Sequence, residues 1–197
     1  MLRRLASFAI CGLLLGICGT AFSQATCSCM EGSLDDRGRL CLPTTIDGFQ
    51  TKPVPDERRA ALKAYRNSVG GGYNAPAHRL AITVYFYDRE ASDDESDTRE
   101  VRTAIVEVLQ SHKGARVEMG GKGSLPLAGG PTEAHGGLFT WREGRDDYAS
   151  FLWLIPRTSR WIKIRATYIR PLGGETEAMR LATDSINKVV TSICVLQ

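Results

Sequence analysis

The clearest ordering of apolar and polar positions lies between residues 148 and 170. In Tyr148–Pro156, Phe151, Trp153 and Ile155 fall on one side of an extended chain and Leu152 and Leu154 on the other. That pattern predicts a strand buried on both faces. Arg157–Arg160 is a short polar turn. From Trp161 to Arg170 the chain alternates, with Ile162, Ile164, Ala166 and Tyr168 on one face and Lys163, Arg165 and Thr167 on the other. The two stretches predict a hairpin around which the remaining elements are organised.

Leu80, Ile82, Val84 and Phe86 share a face of a second β-branched, aromatic run over 79–88. Tyr85 and Tyr87 lie on its other face, either as core beneath a helix or as the wall of a groove. The acidic run Asp93–Asp97 precedes a helix over 98–112, with Asp97 and Glu100 as a capping box and Val101, Ala104, Ile105, Val108 and Leu109 as its stripe. A closing helix over 175–192 buries Met179, Ala182, Ile186, Val189 and Val190, with Ile193 just beyond. Pro55–Tyr65 suits a short surface helix or an extended lead into the next strand. Gly70–Gly72 is read as a break and Gly120–Gly123 as a turn, between a short strand at Arg116–Met119 and Ser124–Leu127; Gly137–Glu143 is a further strand. Hairpin-spaced strands with few helices predict an α+β fold: an antiparallel sheet flanked by two long amphipathic helices, a sandwich, with a disulfide-held N-terminal arm.

Composition supplies an address. Arg3 and Arg4, the apolar run Ala9–Cys18 and the small residues up to Ala25 have the order of a secretory signal peptide, cleaved after Ser23 or Ala25. A lipoprotein carrying its lipid on Cys18 is the alternative, opposed by Ile17 where a small residue is needed. The expected division is 1–25 leader, 26–41 cysteine-bearing arm and 42–197 a single α+β domain in the periplasm or secreted. The apolar run is too short for a stable span, so no transmembrane segment is expected in the mature chain. The chain has 25 Lys+Arg against 22 Asp+Glu, and removing the leader's two arginines leaves an excess of one. That balance gives no reason to expect nucleic acid as a partner. Four cysteines remain: Cys27, Cys29, Cys41 and Cys194. They suggest two disulfides, a short loop from Cys29 (or Cys27) to Cys41 and a bridge from the other to Cys194. Zinc held through Cys27 and Cys29 is the weaker reading, because the spacing is one residue and no histidine is near in sequence.

Candidate chemistry is sparse. His78, His112 and His135 share no metal-ligand spacing, and His112 is expected in a last helical turn, where positive charge is favoured. No catalytic or nucleotide-binding motif is present, so no cofactor is expected. An envelope hydrolase would have to draw on Ser124 or Ser150 with His135; a carrier of a small apolar ligand would need a cavity beneath the helices. The group Arg157, Arg160, Trp161, Lys163 and Arg165 is the candidate binding surface, suited to an envelope protein or an anionic surface. The alternative for it is an ordinary edge strand whose charges discourage aggregation.

The run Leu80–Asp88, the capped helix, the late strands ending in Ile164–Tyr168 and the closing helix together resemble the MOG1/PsbP-like sandwich over roughly residues 42–195. That resemblance implies a central antiparallel sheet with flanking helices and a binding or assembly role without catalysis. Exported bacterial domains of this kind look like accessory proteins of the cell envelope. It transfers no functional residue, and the arm at 26–41 departs from its pattern.

Overall fold

The computed structural model describes residues 27–35, 37–127, 130–170 and 174–196; the expected leader lies outside them. In chain order the elements are β1 (Leu40–Cys41), β2 (Gln50–Pro53), α1 (Asp56–Ala64), β3 (Val69–Ala75), β4 (Leu80–Asp88), α2 (Asp94–Ser111), β5 (Arg116–Leu127), β6 (Gly130–Glu143), β7 (Asp146–Pro156), β8 (Arg160–Ile169), α3 (Glu175–Ser192) and β9 (Cys194–Val195). Strands β2-β3-β4-β8-β7-β6-β5 form one seven-stranded sheet with antiparallel neighbours, and β1 pairs with β9 in a separate ribbon. The class is α+β. Among the described residues, no helix is long and apolar enough to cross a membrane.

Strand alternation sorts the core into two clusters on opposite faces. Ile82, Val84 and Phe86 of β4, Phe151 and Ile155 of β7 and Ile162, Ile164 and Ala166 of β8 join Ala182, Ile186, Val189 and Val190 of α3. Tyr87, Leu152, Leu154 and Trp161 join Phe139 and the α2 residues Ala104 and Val108. Leu152 and Leu154 are fully buried, which is why β7 carries apolar residues at consecutive positions. Truncating either to alanine costs about 2–5 kcal/mol.

The hairpin lies mid-sheet, Phe151 opposite Ala166 and Leu154 opposite Lys163. Strand β8 is therefore central, between β4 and β7, and the edge-strand reading of its charges does not hold. Gly70–Gly72 is not a break, because β3 runs through it. A Cβ on Gly70 would collide with the Val84 carbonyl and approach Tyr85 Cδ1 to 2.7 Å, so the bare backbone is what lets Tyr85 lie over β3. Gly120–Gly123 is likewise interior to β5, whose irregularity is a register shift between Val117 and Met119. The indole of Trp153 lies over Gly123 and Gly136, where added Cβ atoms would come within 2.9 and 2.8 Å of it.

Helix α2 begins a turn earlier than the capping box predicts. Asp93 is the N-cap, its Oδ1 accepting from the Ser96 amide at 2.8 Å. Asp97 is instead gripped by Arg89 at 2.7 Å, and Glu100 by Arg66 at 2.6 Å. The Pro55 stretch takes the helical option, and no residue of α1 is buried. The arm is held by Cys29–Cys41 and by Cys27–Cys194, with Cα separations of 5.6 and 6.2 Å.

Candidate functional site

Helix α2 packs on β6 and β7 while α1 lies against β3, leaving β4 and part of β8 between them. A cleft of about 280 Å³ occupies this gap. Its apolar lining comes from Leu62, Tyr65, Tyr85 and Tyr87; its polar lining includes Glu100 and Glu107 of α2 and Lys163 of β8. Tyr65 is 52% exposed. It caps α1 immediately before Arg66 and Asn67, which have φ of 51° and 50°. Two consecutive non-glycine residues in the left-handed region are strained. The strain is held by Arg66 Nη1 on Glu100 at 2.6 Å, by Arg66 Nη2 on the Asp88 carbonyl at 2.6 Å and by the Asn67 amide on Asp88.

The same contacts fix the back of the cleft. The Tyr87 hydroxyl donates to Glu100 Oε1 at 2.7 Å, and the Arg66 guanidinium lies 4.9 Å from the centre of its ring. Burial, with Glu100 beside it, pushes the Tyr87 hydroxyl well above the usual phenol range. Glu100 is thus occupied at both oxygens, and Glu107 is paired with Lys163. Left open are Leu62, the rings of Tyr65 and Tyr85 and the rim of the Lys163–Glu107 pair. This arrangement suits an apolar or aromatic group seated among the tyrosines with polar contacts at its edge. Neither carboxylate is free for acid–base work.

The five residues of the expected basic surface do not form one patch. Arg160 is 1% exposed, bound through Nε to Asp35 at 2.9 Å, through Nη1 to Asp88 and through Nη2 to the Asn67 carbonyl at 3.0 Å. Trp161 is in the cluster beneath α2, and Lys163 is at the cleft rim. Arg157 is exposed. Arg165 is half-buried: its Nε donates to Ser150 Oγ at 3.2 Å, its Nη2 lies 2.6 Å from His112 Nε2, and its guanidinium sits 5.7 Å from the Trp141 ring centre. Trp141 is stacked between His112 at 4.0 Å and Tyr148 at 5.4 Å. Burial, reinforced by Arg165, lowers the His112 pKa, so the helix C-terminus does not hold this histidine charged as expected.

His135 lies 3.4 Å from Glu133, and the buried Ser150 hydroxyl is shared with Thr167 at 2.9 Å. Among the described residues, no hydrogen bond joins His135 to Ser124 or Ser150. The sulfurs of Cys27, Cys41 and Cys194 lie within 4.8 Å of one another, but each is in a disulfide and offers no thiolate to a metal. Sequence reasoning raised a groove at Tyr85 and Tyr87 as one alternative; it missed Glu100, which reads as the capping-box partner of Asp97, and Glu107, which reads as the outer face of α2. No protein-family model matches the chain, and no curated protein matches it in sequence.

Proposed function

We propose that the protein is an exported, non-catalytic binding module of the cell envelope. In this reading it is a MOG1/PsbP-like sandwich with its long helices on opposite faces of the sheet, and the cleft between α1 and α2 receives a side chain of a partner envelope protein. The observation that carries it is Tyr65, held out at the cleft mouth by a strained turn and facing a tyrosine-lined gap. A volume of about 280 Å³ lies just under the roughly 300–1,000 Å³ usual for small-molecule sites. That size suits one anchoring side chain, of the kind that dominates protein interfaces, better than a carried ligand. Two disulfides agree with an oxidising compartment.

The test is crosslinking in intact cells, affinity capture of the tagged protein and mass spectrometry, with Tyr65→Ala beside the wild type. Tyr65 is exposed, so its loss leaves the fold intact. A specific envelope protein captured by the wild type and lost from the variant supports the reading; an identical captured set for both overturns it.

A further inference from the structure

Among the described residues, the other arginines that folding draws away from solvent are matched to carboxylates. Arg59 meets Glu31 and Asp56, Arg66 meets Glu100, Arg89 meets Asp97, Arg160 meets Asp35 and Asp88, and Arg170 meets Glu175. Arg165 departs from this pattern. Its recorded partners are a hydroxyl, an imidazole and an indole face: Ser150, His112 and Trp141. A guanidinium only donates, so His112 Nε2 must accept and the imidazole is the neutral tautomer protonated on Nδ1. All three partners orient the cation and none neutralises it. Burial, with no opposing carboxylate, lowers the Arg165 pKa.

A cation fixed in this way has donors to spare. Two of the five guanidinium N–H groups are engaged, by Ser150 and His112. We propose that Arg165 is the receptor for an oxyanion, a carboxylate or phosphate group carried by a ligand, bound through its unengaged Nη1 and Nη2 donors. The fork geometry of arginine suits two parallel hydrogen bonds to such a group. Stacking between His112, Trp141 and Tyr148 holds the guanidinium's support rigid, so little rotamer freedom remains to be lost when the anion arrives. Lys163, two positions along the same face of β8, is already paired with Glu107, so Arg165 supplies the uncompensated charge on that face. The site goes beyond the cleft reading: Nε and Nη2 point to Ser150 of β7 and to His112, whereas the cleft lies over β4.

The experiment titrates the purified protein with sodium phosphate and, separately, with sodium acetate. Ionic strength is held constant with chloride, and thermal unfolding and calorimetry are followed. One of the two anions is expected to raise Tm saturably while chloride does not. Tighter phosphate binding identifies a phosphate-bearing ligand, and tighter acetate binding a carboxylate. Arg165→Met should weaken binding by roughly ten- to a hundredfold, the worth of charge-assisted hydrogen bonds. Arg165→Lys, which keeps the charge and loses the fork, should fall between and covers the case in which Arg165→Met does not fold. Arg157→Met, removing an exposed cation in the β7–β8 turn, should bind as the wild type does. Absence of saturable binding by either anion, or undiminished binding in both Arg165 variants, overturns the proposal. Partner capture through Tyr65 is read separately, so either idea can fail without the other.

Discussion

The Nε of Arg160 donates to Asp35 at 2.9 Å across 125 residues of chain, with the two side chains 1% and 2% exposed. This contact joins the cysteine-bearing arm to the first residue of β8. The same guanidinium reaches Asp88 at the end of β4, so one side chain ties together the arm and two strands. Burial raises the Asp35 pKa despite the neighbouring Arg160, as expected for a carboxylate removed from water. Arg160→Met should therefore lose about 3–5 kcal/mol, because it strands a buried charge. Asp35→Leu combined with Arg160→Met should recover much of that loss, since an apolar pair carries no desolvation cost. Urea unfolding of the two single variants and the double variant measures the coupling; additive losses would show that the pair does not act as a unit.

The disulfides differ in the length of chain they close. Cys29–Cys41 spans 12 residues and Cys27–Cys194 spans 167. The loop-entropy relation gives about 3 kcal/mol for the first and about 5 for the second. Paired serine substitutions, unfolded in urea without reductant, should rank in that order. The reverse order would mean that packing around the fully buried Cys41 outweighs chain entropy.

Strand alternation was legible wherever an apolar side chain met a helix: the faces of 80–88, 151–155 and 162–168 are those expected. Glycines were misread because a glycine records a missing side chain and not the reason for it. At Gly70 the reason is the Val84 carbonyl with the Tyr85 ring beside it, at Gly136 the Leu152 carbonyl with Trp153 beside it, and at Gly123 the Trp153 ring. The arginines were misread for a related reason. Arg160 looks like turn polarity until Asp35 and Asp88, 125 and 72 residues away, are brought beside it. His112 and Arg165, 53 residues apart, meet only because α2 packs on β6 and β7 and ends against Trp141. Pairings at such separations leave no periodic signal.

Those glycines can be separated by what an added methyl would strike. In an ordinary strand, Gly→Ala is favourable by roughly 0.5–1 kcal/mol through chain entropy. At Gly136 the new Cβ would collide with the Leu152 carbonyl oxygen, and at Gly123 it would meet the Trp153 side chain at 2.9 Å. Both variants should be destabilised, Gly136→Ala the more. Trp153→Leu should relieve Gly123→Ala and leave Gly136→Ala unrelieved, because backbone cannot step aside. Thermal unfolding of the four combinations tests this, and equal rescue at both sites would refute it.

His112 supplies a pH dependence whose sign is set by its surroundings. Burial first, and then Arg165, hold its folded-state pKa below the ordinary 6.5. Between the two values the unfolded chain binds a proton that the folded chain does not, so stability rises with pH through that window. The contribution is fully present above about pH 6.5 and is lost as the pH falls below it. Asp35 acts in the opposite sense: its raised pKa favours the folded state at lower pH, and that contribution fades as the pH rises through its folded value. Asp88 is lowered: burial raises it, but hydrogen bonds from Asn67 and Arg160 and the charges of Arg160 and Arg37 outweigh that, so its contribution is lost only as the pH drops below about 3.8. The histidine is therefore isolated by comparing wild type with His112→Gln between pH 7.5 and 5, where both carry the same carboxylates. Wild-type Tm should fall relative to the variant as the pH drops. Parallel curves would mean that His112 titrates alike in the folded and unfolded chains, and that Arg165 lacks the neutral acceptor the geometry gives it.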